Sequence, residues 1–416
     1  MTHRTKPLRA ALCLMLALLM ILSAALGSAA ASSGTRKVTK ADKTAMAESV
    51  NQFGWNLYKK AAGKDNYFCS PLSMEAALAM CDVAASGTTK KQLEKTLCIS
   101  DLQSFELAMK WLRGKYANPK DKAAGQLTVA NSVWMDKSLQ TAKNYQKDVE
   151  TPLKTYFGAE IKRVDFRNNV SGVKQQISRW VKTNTGGMIR NYQPICDAST
   201  KADLINAVYF YGEWAAKFEA QNTSKRKFYG TKGTKSVDQM AMGNTSFRVL
   251  SQTGGVRGIA LPYRDGKFEM DLFIGSRSKD ISAAMKKTDL TQLLKKLDKA
   301  ESVKVRTLQM PKFTMDITFK DLKKQLQALG MKIPFTADAN FNKLSPELCI
   351  SDINHRAKVE VDEEGSRAAA VTEVSMKATA VMDPSTVDFL VDRPFFFVIR
   401  ETSTGMILFT GHVNNL

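Results

Sequence analysis

From residue 43 to residue 97, apolar side chains recur three and four positions apart, as in Met46-Ala47-Val50-Phe53-Leu57 and Met74-Ala77-Leu78-Cys81, and predict a mainly helical segment. Ser70-Pro71 marks a helix start inside it, because serine caps well and proline suits the first helical position, where its missing N–H is harmless. Residues 127–134 alternate and read as a buried strand, and helix returns over 171–183. Beyond Asp203, strand-type runs occupy 204–211, 258–262, 268–274, 303–308 and 395–399, with helical patterns over 282–297 and 322–329 between them. Helices early and strands late, with neither repeat nor linker, predict a single α+β domain over 43–416.

The first thirty residues depart from this pattern. Arg4, Lys6 and Arg9 precede an apolar run over 10–22 and a small-residue stretch over 23–30, the layout of a secretory signal peptide cleaved after Ala30, with Ala29 and Ala31 as alternates. The run is short for spanning a bilayer, so the expectation is a secreted chain with a flexible segment over 31–42 and no membrane association. Losing those three basic residues and no acidic ones lowers the formal charge from +21 to +18. Such a charge favours polyanions through long-range attraction, but without a compact basic run a solvated surface is the preferred explanation, and nucleic acid is not an expected partner. Asn169, Asn222 and Asn244 each begin an N-x-S/T pattern.

Chemistry-bearing residues are scarce. Of six cysteines, Cys13 belongs to the leader; Cys69, Cys81, Cys98, Cys196 and Cys349 are widely spaced, without C-x-x-C. Neither a zinc site nor a dense disulfide framework follows, and mostly buried thiols with at most one pair are expected. After loss of His3 only His355 and His412 remain, neither near a G-x-S-x-G or similar signature; H-E-x-x-H, the P-loop and a strand-linked G-x-G-x-x-G are also absent. No enzymatic activity, metal or cofactor is expected.

Asn66-Tyr67-Phe68-Cys69-Ser70-Pro71-Leu72-Ser73 followed by Ala76-Ala77-Leu78-Ala79-Met80 resembles the second-helix signature of serpins. The likeness continues in order through Ala130-Asn131-Ser132-Val133-Trp134, Leu204-Ile205-Asn206-Ala207-Val208-Tyr209-Phe210 with Gly212-Glu213-Trp214, Leu308-Gln309-Met310-Pro311-Lys312-Phe313 and Arg393-Pro394-Phe395-Phe396-Phe397-Val398-Ile399-Arg400. It ends in Gly405-Met406-Ile407-Leu408-Phe409-Thr410-Gly411. The resemblance implies the serpin fold: three β-sheets, about nine helices, an exposed reactive-centre loop over 365–394 and a central sheet that opens to accept a strand. By position it makes Ser70, Ser73, Asn206 and His355 the polar cluster under the opening point, and Trp214 the aromatic at its top.

Glu364-Gly365-Ser366-Arg367-Ala368-Ala369-Ala370-Val371-Thr372 resembles the serpin loop hinge, with Arg367 where the family often has an acidic residue. Strand side chains alternate faces, so an inserting loop is tested one set at a time. The set in step with Ser366, namely Ala368, Ala370, Thr372, Val374, Met376 and Ala378, carries no charge, whereas Arg367, Glu373 and Lys377 fall in the opposite set, so one face can be buried and the other wetted. Family spacing from Gly365 places the scissile bond at Thr379-Ala380, with Ala380-Val381 and Val381-Met382 as alternates. Small apolar residues there suit elastase-like or subtilisin-like proteases, while Lys377 would invite trypsin-like cleavage. The implied function is a monomeric suicide inhibitor that forms a covalent acyl-enzyme complex with a serine protease. A non-inhibitory carrier serpin is the rival reading, and a polyanion is a second, accessory partner.

Overall fold

In the computed structural model, residues 36–117, 125–253, 255–275, 280–319, 321–351, 353, 355–366 and 386–416 are described. The leader over 1–30 and loop positions 367–385, including Lys377, Thr379, Ala380, Val381 and Met382, lie outside them. Helix α1 (Lys40–Ala61) starts three residues earlier than its apolar pattern because Thr39 and Asp42 form a reciprocal capping box. Met46, Val50, Phe53 and Leu57 make its buried face, as their spacing predicts. Helix α2 (Pro71–Ala84) begins as expected, with the Ser70 hydroxyl accepting from the Ser73 N–H at 3.1 Å. Buried on nearly all sides, α2 is an interior helix.

Helices α3 (Gly87–Leu97), α4 (Leu102–Tyr116), α5 (Phe166–Asn184), α6 (Ile281–Lys286), α7 (Leu290–Asp298) and α8 (Leu322–Ala328) follow. The single helix predicted over 282–297 is two, since the Asp289 carboxylate accepts from the Gln292 N–H at 3.1 Å and restarts the helix as α7. Helix α5 breaks locally at Asn169. Two π-helical segments, Gln146–Glu150 and Leu153–Phe157, join eight α-helices among the described residues, close to the nine expected.

Sixteen strands are present among the described residues. The first half comprises β1 (Tyr67–Cys69), β2 (Gln126–Asp136), β3 (Glu160–Val164), β4 (Ala202–Glu213), β5 (Ser224–Gly230), β6 (Gly233–Met242), β7 (Thr245–Thr253) and β8 (Val256–Pro262). The second comprises β9 (Phe268–Ile274), β10 (Ser302–Pro311), β11 (Phe313–Phe319), β12 (His355–Val361), β13 (Gly365–Ser366), β14 (Val387–Leu390), β15 (Phe395–Glu401) and β16 (Met406–Val413). One sheet has the order β11-β12-β13-β4-β2-β3. The other sheet is the larger, ten strands in the order β1-β16-β15-β9-β8-β7-β10-β6-β5 with β14 beside β10, whose first residues pair with β7 and whose last pair with β6. Two of the three expected sheets are thus continuous through β10. Strands β15 and β16 are buried throughout, which is why they read as continuous apolar runs. The charged run Lys225-Arg226-Lys227 of β5 is exposed, and its sequence carries no strand signal.

Helix α2 also buries Glu75 completely, with no hydrogen-bond partner for either carboxylate oxygen. The neighbouring Ser49 hydroxyl donates instead to the Met46 carbonyl at 2.9 Å, and burial raises the Glu75 carboxyl well above its ordinary range. A raised folded value makes this group's contribution fully present below the unfolded value, roughly 4.3, and lost as pH climbs through the folded one. Glu75→Met, close in volume and without ionisable atoms, is expected to raise unfolding stability by about 1–3 kcal/mol at pH 8, with the gain shrinking toward pH 4, as measured by urea denaturation at the two pH values.

Candidate functional site

Among the described residues, β12 and β4 share a sheet only through the two residues of β13. Ser366 pairs with Val361 on one side and Gly212 on the other, and Gly365 pairs with Glu213, antiparallel in each case. The turn that delivers them is fastened by Asp362, whose carboxylate accepts from the N–H groups of Glu364 (3.0 Å) and Gly365 (3.3 Å), and whose own N–H donates to the Gly365 carbonyl (3.0 Å). Glycine is required at 365: φ is +159°, and a Cβ there would lie 2.0 Å from the Gly212 carbonyl oxygen. Glu364 meets Lys217 at 2.5 Å, and Glu363 meets Lys312 (2.8 Å) and the Thr223 hydroxyl (2.7 Å), so the acidic approach to the hinge is held from both sides.

Ser366 is buried, and its hydroxyl lies 2.5 Å from that of Tyr263. Trp214 stacks on Tyr263 with centroids 4.7 Å apart and donates its indole N–H to the Asp362 carbonyl at 2.9 Å. It therefore stands just past the end of β4 that pairs with β13. Asp362 and Tyr263 complete this end, and of the two only Tyr263 carries no signal in the sequence. Only the position of Asp362 two residues before the Glu364-Gly365 step hinted at a turn.

Ser70, Ser73, Asn206 and His355 come together lower on the same sheet. His355 is buried, and its Nε2 accepts from the Ser70 N–H at 3.1 Å; the Ser70 hydroxyl donates to the Leu408 carbonyl at 2.7 Å. The Ser73 hydroxyl donates to the Asn206 side-chain oxygen, and the Asn206 amide donates to Asn131 Oδ1 at 2.7 Å. Asn131 in turn donates to the Phe157 carbonyl at 2.8 Å, a member that sequence reasoning did not single out although it sits opposite Asn206 in the pairing of β2 with β4. Burial pushes the His355 imidazole down to about 4, which keeps Nε2 free to accept.

A cavity of about 490 Å³ lies against this cluster, lined among others by Ser73, Asn206, His355, Leu204 and Ile353. Alternating with Asn206 along β4, Ile205 and Ala207 are buried with Trp180 of α5 and with Ile189, Tyr192 and Cys196 of the segment after it, and the cavity reaches Ile205, Tyr192 and Cys196 as well. Tyr209 and Tyr211, nearer the hinge, are only half-buried. The second face expected to be wetted is thus open to water beside the upper residues of β4 and covered by protein beside the lower ones. No disulfide is present among the five described cysteines; Cys69 and Cys196 are buried, Cys81 and Cys98 half-buried and Cys349 exposed, so fewer are buried than expected. Among the described residues no cluster of His, Cys, Asp and Glu is arranged to hold a metal.

Residues 48–416 match the family Serpin (serine protease inhibitor). The chain is 32% identical over 366 residues to Serpin-Z2B of Triticum aestivum, spanning 84% of this chain and 90% of that protein. It is similar to native tengpin, a thermophilic serpin (TM-score 0.79, 26% identity, 92% of this chain and 96% of the other). It is also similar to native protease nexin-1 with heparin (TM-score 0.78, 29% identity, 90% and 100%). The chain belongs to the serpin family, whose members are mostly inhibitors of serine proteases.

The depressed His355 value has a direct consequence. A lowered folded value contributes stability that is present above the unfolded value, roughly 6.5, and lost as pH falls through about 4. The stability difference between the wild type and His355→Gln is therefore expected to narrow by up to about 1.4 kcal/mol per pH unit between those limits, measured by chemical denaturation.

Proposed function

We propose that the chain is a secreted suicide-substrate inhibitor of serine proteases, which traps its acyl-enzyme by drawing the residues after Ser366 between β12 and β4. The observation that supports this most is β13 itself, two residues of strand lying between both neighbours. Continued two residues at a time, that register brings Ala368 beside Val359 and Phe210, Ala370 beside Ala357 and Val208, and Thr372 beside His355 and Asn206. The incoming set faces the cavity side with small or uncharged side chains, and its backbone would pair with the facing edges of both strands.

In this reading the protease serine attacks the Thr379 carbonyl, forms an ester and releases the amine of Ala380; cleavage at Ala380-Val381 or Val381-Met382 would differ only in length. Insertion of the fourteen residues from Ser366 to Thr379, at about 3.3 Å each, carries the tethered protease roughly 45 Å. Distortion of its triad and oxyanion hole then halts deacylation, since both work within narrow tolerances. Small residues around the bond favour elastase-like or subtilisin-like targets over trypsin-like attack at Lys377. The leader over 1–30 supports secretion, and a monomer suffices for the mechanism. The charge of +21 and the protease nexin-1 structure with heparin support a polyanion as an accessory partner.

Incubation with an elastase, a subtilisin and a trypsin-like enzyme is expected to give a complex that survives denaturing electrophoresis and a released peptide beginning at Ala380. Thr372→Arg, which forces a charge onto the inward set, is expected to be cleaved at the same bond while losing the complex. Cleavage of the unaltered protein by all three enzymes, each remaining fully active, would overturn the inhibitory reading.

A further inference from the structure

Three of the five described thiols, Cys81, Cys196 and Cys349, line the same cavity of about 490 Å³ beside the polar cluster. Two of them precede the strands that flank β13. Cys196 stands six residues before β4 begins at Ala202, and Cys349 stands six residues before β12 begins at His355. Because β13 is antiparallel to both strands, β4 and β12 run in the same direction, so both thiols lie at the end of the sheet remote from the hinge. The segments that carry them already meet: Arg356 of β12 donates to the Asn191 carbonyl at 2.7 Å, and Ile195 shares a small surface pocket with Phe319 and Ile353. The remaining thiols are occupied elsewhere, Cys69 with the Tyr67 hydroxyl at 3.2 Å and Cys98 with the Asn56 amide at 3.8 Å.

We propose that Cys196 and Cys349 form a redox latch, a disulfide that ties the foot of β4 to the foot of β12 and blocks completion of loop insertion; the regulatory half of this proposal rests on the insertion reading above. An inserted strand requires its two flanks to stand two strand spacings apart, about 9.6 Å. A disulfide holds its two Cα atoms only about 4.4–6.8 Å apart. The bridge therefore holds the segments entering β4 and β12, each six residues from its strand, closer together than an inserted strand running down between them allows.

The chemistry needs a two-electron oxidant, for which oxidised glutathione serves. The Cys349 thiolate, on the exposed residue, attacks one glutathione sulfur, forms a mixed disulfide and expels a glutathione thiolate. The Cys196 thiolate then attacks the Cys349 sulfur, forms the protein disulfide and expels the second glutathione thiolate. The two protons lost from the cysteines end on those leaving groups or in water, and two protein thiols are oxidised as one glutathione disulfide is reduced. Burial, reinforced by the charge of Asp203, holds the Cys196 thiol up at about 11, so the second step is slow and accelerates as pH rises. Burial raises the Cys81 thiol as well, to about 12, so the peptide map has to distinguish it from Cys196.

The test incubates the purified protein with oxidised glutathione at pH 8, maps peptides by mass spectrometry without reduction, and compares oxidised and reduced forms. The expected map contains a Cys196–Cys349 linked peptide that disappears in Cys349→Ser and in Cys196→Ser. The oxidised form is expected to lose the rise in heat stability that follows loop cleavage, and to recover it on treatment with a thiol reductant, while Cys349→Ser is insensitive to oxidant. A map showing only a glutathione adduct on Cys349, or a bridge through Cys81, would overturn the pairing. A Cys196–Cys349 bridge that leaves the heat-stability rise intact would overturn the latch. Absence of that rise in the reduced, cleaved protein would instead count against the insertion reading and the latch built on it, with the pairing still decided by the peptide map.

Discussion

Two residues of backbone hold the central sheet together across its middle. Gly365 and Ser366 pair with β12 on one side and β4 on the other, and among the described residues nothing else joins those two strands. Strand edges carry rows of N–H and C=O groups that demand partners, and edges facing one another at a strand's remove are a template for one more strand. The rest of the molecule is arranged around that constraint. The Asp362 turn sets the direction of approach, the Gly212 carbonyl admits only a glycine opposite it, and Tyr263 with Trp214 closes the upper end over the Ser366 hydroxyl.

Lower down, hydrogen bonding takes over from packing. Ser70, Ser73, Asn131, Asn206 and His355 are linked donor to acceptor, and the network reaches the backbone at Leu408 and Phe157, so α2, β2, β4, β12 and β16 meet at one polar point inside an apolar core. Buried polar groups are tolerable when satisfied in this way. Glu75 on α2 and one oxygen of Asp203 on β4 show the opposite condition nearby, buried without a partner and raised in pKa, Asp203 to about 6. The contrast separates the groups that satisfy one another from those that burden the same helix and strand.

The second, larger sheet follows a different logic. Arg400 interrupts an apolar strand, yet it is buried, because Glu269 and Asp271 of β9 and Asp298 of α7 meet its guanidinium, the first two at 2.6 and 2.7 Å. A buried cation is stable only with such partners, which lie more than a hundred residues away in the chain.

Where the physics was local, the sequence by itself determined the outcome: the Ser70-Pro71 start of α2, the buried face of α1, the strands buried on both faces such as β15, and the even alternation after Ser366 that separates charged from uncharged positions. Elements whose signal depends on a neighbour were illegible, among them the exposed, charged β5 and the three-residue β1. The break between α6 and α7 was overlooked although its cap, Asp289, is local. Ser70 and His355, 285 residues apart, are linked in the sequence by no spacing rule, only by resemblance to a family. Tertiary structure alone decided that β12 and β4 meet through the residues of β13, that a tyrosine hydroxyl closes on Ser366, and that three cysteines line one cavity. Pairing register and shared cavities are set by which distant surfaces pack together, and a linear pattern records the faces of an element but not their partners.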